Sequence, residues 1–209
     1  SSTITCVNEK TLIEALEKKL NISGINLSPS IHGGDNKVFF IKKDSPIIGI
    51  AKCYTKRTLK EVEKNSKLSH LLHKELPIPH TIDIFIHDQI PIIIQTFLPG
   101  QHYEYLNPEQ LDTVAHNMAK MHMVRLNNVD FTINTKEFDY SDLLKLCPDF
   151  PDYKFIFQLY ESLDLQYVND LPLSIIHGDF SCSNILFEDN KISGIIDLDH
   201  ARYSYRLTD

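Results

Sequence analysis

With 209 residues, 42% of them hydrophobic and 23% charged, the chain is long and apolar enough to bury a core, as one large domain or as two small lobes sharing a cleft. That composition excludes disorder along most of its length. The formal net charge of −7 disfavours nonspecific nucleic-acid binding, because an acidic protein repels phosphate backbones.

The N-terminal SSTITCVNEK has no basic region followed by an apolar run, so no signal peptide is expected. Residues 11–20 place Leu12, Leu16 and Leu20 on one helical face, with Ile13 beside them. NISGINLSPS then reads as turn and loop. Residues 31–54 read as strand, glycine turn, strand, second turn and third strand, on the β-favouring runs Val38–Phe39–Phe40–Ile41 and Ile47, Ile48 and Ile50. A helix is predicted near residues 58–74, with Val62, Leu68, Leu71 and Leu72 as its buried positions, and LPIPH ends it. The most apolar stretch, residues 82–98, is interrupted by Asp83, His87, Asp88, Pro91 and Gln95. It reads as a hairpin of two strands and is too polar to span a membrane.

The character changes near Pro99-Gly100. Asn107 is a candidate N-cap and Pro108 a candidate first helical residue, followed by Leu111, Val114, Ala115, Met118 and His122 at helical spacing. Residues 127–153 are loop-rich with a short helix at YSDLLKL, and FIFQLYESLDL reads as another helix. The last stretch, residues 174–209, reads as strand, loop, strand, acidic turn, strand and loop. A β-rich half carrying one helix therefore precedes a mostly helical half, an α+β arrangement. The four cysteines, Cys6, Cys53, Cys147 and Cys182, show neither metal-knuckle nor redox spacing and read as reduced thiols of a cytoplasmic protein. His70 and His73, three apart on one helix, and His116 and His122 on another, read as solvent-facing or core residues, because a zinc site needs more ligands at defined geometry.

The densest chemistry lies in HGDFSCSN. His177, Gly178 and Asp179 precede Asn184, and apolar runs on both sides hold the loop between two strands. Further on, GIIDLDHA brings a strand to its end at Asp197. Phosphoryl transfer needs the triphosphate charge neutralised and the attacking hydroxyl oriented, with an acceptor for its proton. Magnesium prefers hard oxygen ligands, which Asn184 and Asp197 supply. Asp179 suits the hydroxyl. Singly, each residue is more commonly a turn former, a loop hydrogen-bonder or a cap; the ordered set is far more specific.

HGDFSCSNILF and GIIDLDHA resemble the catalytic loop and metal-binding strand of the superfamily of aminoglycoside phosphotransferases, choline kinases and homoserine kinases, which has the protein-kinase-like fold. The resemblance implies a two-lobed structure: an N-lobe over residues 1–98 with an antiparallel sheet and one main helix, and a mainly helical C-lobe over residues 99–209. It implies Asp179 as catalytic aspartate, His177 as the residue that structures its loop, and Asn184 and Asp197 as magnesium ligands. IHGGDNKVFFI is similar to the family's nucleotide-covering turn, so Gly33, Gly34 and Asn36 are expected against the nucleotide. IGIAKCY places Lys52 where the family's phosphate-contacting lysine sits, with Glu63, or alternatively Glu61, as its acidic partner. IIIQTFLPG resembles the hinge, where backbone groups at Gln95, Thr96 and Phe97 would meet adenine.

The matches span residues 20–209. TFLPG, MAKMHMV and ISGIID look most like homoserine kinases, and IAKCY and DLDHAR like stress-response kinases. In the family further helices follow the metal strand and wall the acceptor site. This chain stops at Asp209, so a truncated C-lobe is expected. The expected reaction is ATP- or GTP- and Mg2+-dependent transfer of a phosphate to a hydroxyl of a small molecule: an amino alcohol, aminoglycoside, choline or sugar. A Ser/Thr protein kinase and a nucleotide-binding pseudokinase or non-catalytic remnant are the alternatives. Asp139 and Asp142 are candidate acceptor contacts; no nucleic-acid or membrane partner is expected.

Overall fold

A computed structural model describes residues 7–30, 36–125 and 173–205. Helix α1 (Glu9–Leu20) starts at Asn8, whose side chain accepts from the Lys10 and Thr11 amides, and stops at Asn21 in the left-handed conformation. Strands β1 (Ile25–Pro29), β2 (Lys37–Lys43) and β3 (Ile47–Cys53) follow, then α2 (Leu59–Leu72), β4 (Thr81–His87) and β5 (Ile90–Gln95). The five strands form one antiparallel sheet in the order β1-β2-β3-β5-β4.

The α+β expectation and the antiparallel N-terminal sheet hold. Two strands read as loop are corrections. INLSP forms β1, an edge strand whose Ile25 is buried opposite Lys43. Its alternation of Ile25 and Leu27 with polar neighbours is only five residues long and ends in Pro29, which an edge strand tolerates. Residues 31–35 lie outside the described residues.

Alternation divides the sheet. Phe39, Ile41, Ala51, Cys53, Ile92 and Ile94 pack with Leu12 and Leu16 of α1. Burial pushes the Cys53 thiol up to about 12, outweighing the opposing charge of Lys37, so it behaves as an apolar filler. On the other face Ile93 packs with Tyr54 and Val62 of α2. Covered on both sides, β5 is buried from Ile90 through Ile94, which is why it reads as a continuous apolar run.

Helix α2 begins at Thr58 with a capping box closed by Glu61. Its C-terminal half, Leu68 and Leu72, leaves the sheet and packs with Met121, Ile175, Ile195 and Leu198 of the second half. The Ile195 amide also donates to the Pro77 carbonyl at 2.8 Å. One helix thus belongs to both cores.

Beyond the sheet, Gly100 lies so close to Ser193 that a Cβ there would overlap its hydroxyl, while Gln101 and Phe187 exchange two backbone bonds of 2.9 Å. Helix α3 (Pro108–Met123) is capped by Asn107 with Gln110 as the reciprocal partner. Its buried face is set by Met121 and Gln110, and Leu111, read as part of the apolar stripe, is 53% exposed. The helix lies against strands β6 (Leu173–Ile176) and β8 (Lys191–Ile195), and that docking rotates the stripe away from Leu111. Strand β7 (Ile185–Glu188) pairs with β8, and β9 (Arg202–Tyr205), read as loop, pairs with β6. No described helix is long and apolar enough to cross a membrane. The helices read at YSDLLKL and FIFQLYESLDL lie outside the described residues, as do Cys6 and Cys147.

Candidate active site

The site is built on the loop after β6, the β7–β8 hairpin and the central strand β3. β6 ends at Ile176, and the chain enters the loop through His177, which is fully buried. Its Nδ1 accepts the Asp179 amide at 3.3 Å and its Nε2 contacts the Ile196 carbonyl at 2.9 Å. With Nδ1 accepting, the ring carries its proton on Nε2 and donates it to Ile196. His177 therefore ties the loop to the residue before Asp197 and has no solvent-facing role. Gly178 has φ +81°, and a Cβ there would overlap the His200 carbonyl, so both conformation and space demand glycine.

Asp179 is exposed. Asn184 is buried, and its Nδ2 donates to the Asp179 carbonyl at 2.9 Å and to Oδ2 at 3.1 Å. Committing the amide nitrogen to Asp179 leaves Oδ1 as the end of Asn184 able to serve a cation. The Asn184 carbonyl accepts the Ile196 amide at 2.9 Å, which brings the loop beside the end of β8. There Asp197 sits at φ 60°, ψ 59°, a left-handed conformation that aspartate adopts more readily than most residues.

Lys52 reaches this point from the central strand β3. Its Nζ lies 2.7 Å from Asp197 Oδ1 and 2.5 Å from Asp199 Oδ2. Burial alone would raise the Asp197 carboxyl, but the charge and hydrogen bond of Lys52, with lesser help from Asp199 and His177, hold the group below the usual carboxylate range.

The expected pairing of Lys52 with Glu63 or Glu61 is corrected. Glu63 is on the exposed side of α2, and Glu61 is bound to Thr58 in the capping box, whose backbone and side-chain hydrogen bonds lower its pKa. The face of α2 turned to the cleft carries Val62, Asn65, Ser66 and Ser69, which with Lys52, Gln95 and Asp199 line a cavity of about 20 Å³, room for one water. The lysine's carboxylates come from the other side of the cleft.

Asp199 is the residue whose role sequence reasoning left unassigned. Besides Lys52 it accepts from Tyr54 Oη and Asn36 Nδ2, each at 2.8 Å. Burial first, and the Asp199 charge second, push the Tyr54 phenol far above its ordinary value, so it remains a donor. Asn65 Nδ2 donates to the carbonyls of Leu198 at 2.9 Å and Asp199 at 3.0 Å. Two signals were present: Tyr54 lies two residues from Lys52, and Asn65 interrupts an otherwise packed helix face at the i+3 position from Val62.

Of the other expected contacts, Asn36 is drawn to Asp199. Gln95 pairs with Ile50 and Thr81 in the sheet. The Thr96 amide is committed to the His80 carbonyl at 2.9 Å, and Phe97 is partly exposed, edge-on to Phe40 at 6.1 Å. Gly33, Gly34, Asp139 and Asp142 lie outside the described residues. A larger cavity, of about 400 Å³, is lined by Lys67, His70, His73 and His80, and shares only Ser66 and Pro79 with the small one. It holds none of the carboxylates above.

A metal fits as an open site. Among the described residues no three His, Cys, Asp or Glu side chains converge as a cage. Magnesium ordinarily takes one or two carboxylates and completes its shell with water and phosphate, and Asp197 with Asn184 Oδ1 offers a hard-oxygen set of that kind.

Solved structures share this architecture. A ternary complex of streptomycin, ATP and APH(2")-IIa is similar over 98% of this chain and 75% of its own, at 19% identity and a TM-score of 0.65. Aminoglycoside phosphotransferase APH(4)-Ia matches over 95% and 74%, at 16% identity and 0.66. Macrolide 2'-phosphotransferase MphH from Brachybacterium faecium matches over 96% and 75%, at 17% identity and 0.64. At these identities the likeness establishes a kinase-like fold, with the antiparallel sheet as its N-terminal lobe. The model of the phosphotransferase enzyme family matches residues 27–209, and the chain belongs to that family.

Proposed function

We propose that the chain transfers the terminal phosphoryl group of ATP or GTP, with magnesium, to a hydroxyl of a small molecule. The observation that carries the reading is Lys52, a cation on the central strand of one lobe, held 2.7 Å from Asp197 at the end of a hairpin 145 residues later. The Asp179–Asn184 pair is fastened to that same hairpin through Ile196. Charge neutralisation, metal ligation and proton acceptance thus have residues in one cleft.

In this reading Lys52 binds phosphate oxygens, and Asn184 Oδ1 and Asp197 would hold the metal. When bound, magnesium neutralises charge on the phosphates. Asp179 orients the acceptor hydroxyl and takes its proton on a carboxylate oxygen. Asn184 occupies Oδ2, so Oδ1 is the oxygen for the acceptor. His177 keeps the loop in place by its buried bonds. The acceptor class draws on the family and on neighbours whose names mention streptomycin, hygromycin B and macrolide.

The test is a turnover screen with Mg-ATP and Mg-GTP against amino alcohols, choline, sugars, aminoglycosides and macrolides. ADP or GDP release that depends on one acceptor class, with a phosphoester recovered, is expected. Tight Mg-nucleotide binding with no transfer to any of them would replace the reading with a nucleotide-binding protein.

A further inference from the structure

We propose that Asp199 is the positioning residue for Lys52, doing from the hairpin side what a helix carboxylate was expected to do, and that Asn65 couples α2 to it. The inference rests on the phosphotransferase reading of the site and adds to it a division of labour between two neighbouring aspartates.

Lys52 touches both carboxylates, but they differ in kind. The Asp199 side chain is 10% exposed and accepts from Lys52, Tyr54 and Asn36; that of Asp197 is 40% exposed. Asp199 is therefore committed, and Asp197 is open to exchange partners with solvent or a cation. A cation can take Asp197 only if Lys52 has another carboxylate to stay with, and Asp199 supplies it. Without Asp199, lysine and metal compete for one group. Asn65 adds the second element. It donates to the Leu198 and Asp199 carbonyls, one on either side of the Asp199 Cα, so the carboxylate that holds Lys52 is aligned by α2 through backbone carbonyls, without an acidic residue on the helix.

Two readouts separate this from a purely structural role. In nucleotide-free protein, the rate at which an amine-reactive reagent labels Lys52, followed by mass spectrometry, should rise severalfold in Asp199→Asn and much less in Asp197→Asn. With nucleotide, the magnesium concentration giving half-maximal ATP binding should rise about tenfold in Asp199→Asn, and this penalty should vanish in a Lys52→Met background, because the pair acts as a unit. Labelling that rises as much in Asp197→Asn, or an undiminished penalty without Lys52, overturns the proposal. Should Asp199→Asn not fold, Asn65→Ala, which leaves every carboxylate in place, carries the labelling test: a faster Lys52 supports the coupling and an unchanged one refutes it. If the wild type fails to bind Mg-ATP, the functional reading falls, while the labelling result still decides the role of Asp199.

Discussion

The two faces of the five-stranded sheet are made by alternate residues of the same strands, yet they are held together differently. Toward α1, Phe39, Ile41, Ala51, Cys53, Ile92 and Ile94 meet Leu12 and Leu16 in an apolar layer with almost no exposed surface. Toward the cleft, Lys52 and the residue after the strand end, Tyr54, meet Asp197, Asp199 and Asn65 through a handful of directional bonds. Hydrophobic burial is nondirectional and scales with area, so the first face anchors the strand. The second face, where only Ile93, Tyr54 and Val62 form a small apolar cluster, can then use its other side chains for charge and position. The strand period of two, applied to Ala51-Lys52-Cys53, is what turns the lysine into the cleft.

The comparison predicts that changes on the two faces separate into loss of function and loss of stability. The largest expected effect is on the cleft side: Asp197→Ala should abolish magnesium-dependent nucleotide binding, read by titration calorimetry, with folding intact by thermal melting. Unchanged Mg-ATP affinity would remove Asp197 from the metal role. Lys52→Met should likewise depress ATP use far more than it lowers the melting temperature. On the opposite face, Ile92→Ala should cost about 2–5 kcal/mol in urea unfolding, the range for emptying a packed core position, while leaving the nucleotide affinity of the folded protein near wild type. A large affinity loss there would show that the two faces are not independent. Smallest, Thr58→Ala removes the cap of α2 and should cost about 1 kcal/mol. Because that helix also bears Asn65, a change in Lys52 labelling that exceeds the stability loss would sharpen the coupling inferred above.

Much of this was legible. The capping signals of Asn107-Pro108, the apolar face of α1 and the β-favouring runs of β2 and β3 are local, and local physics decides them. The spacing of His177, Asp179, Asn184 and Asp197 was legible for a different reason: a loop clamped between strands leaves its polar residues only one region to point into. What was hidden depends on contacts between distant segments. β9 pairs with β6 across the intervening β7 and β8, while β1, although it pairs with the next strand, β2, ends in Pro29; at four and five residues each carried too little signal. The exposure of Leu111 follows from how α3 docks on β6 and β8, which periodicity does not report. The lysine's partner was misread because Glu61 and Glu63 have the right chemistry on the right helix, whereas rotation about its axis presents Asn65 to the cleft.

The central claim, that this cleft performs phosphoryl transfer, is tested most directly by Asp179→Asn. The substitution preserves shape and most hydrogen bonds while removing the carboxylate proposed to accept the hydroxyl proton. With an acceptor found in the turnover screen, the account predicts unchanged Mg-ATP binding and a transfer rate lower by roughly a hundredfold or more, the usual range for losing a positioned base. Transfer at near wild-type rate in the folded variant would contradict it.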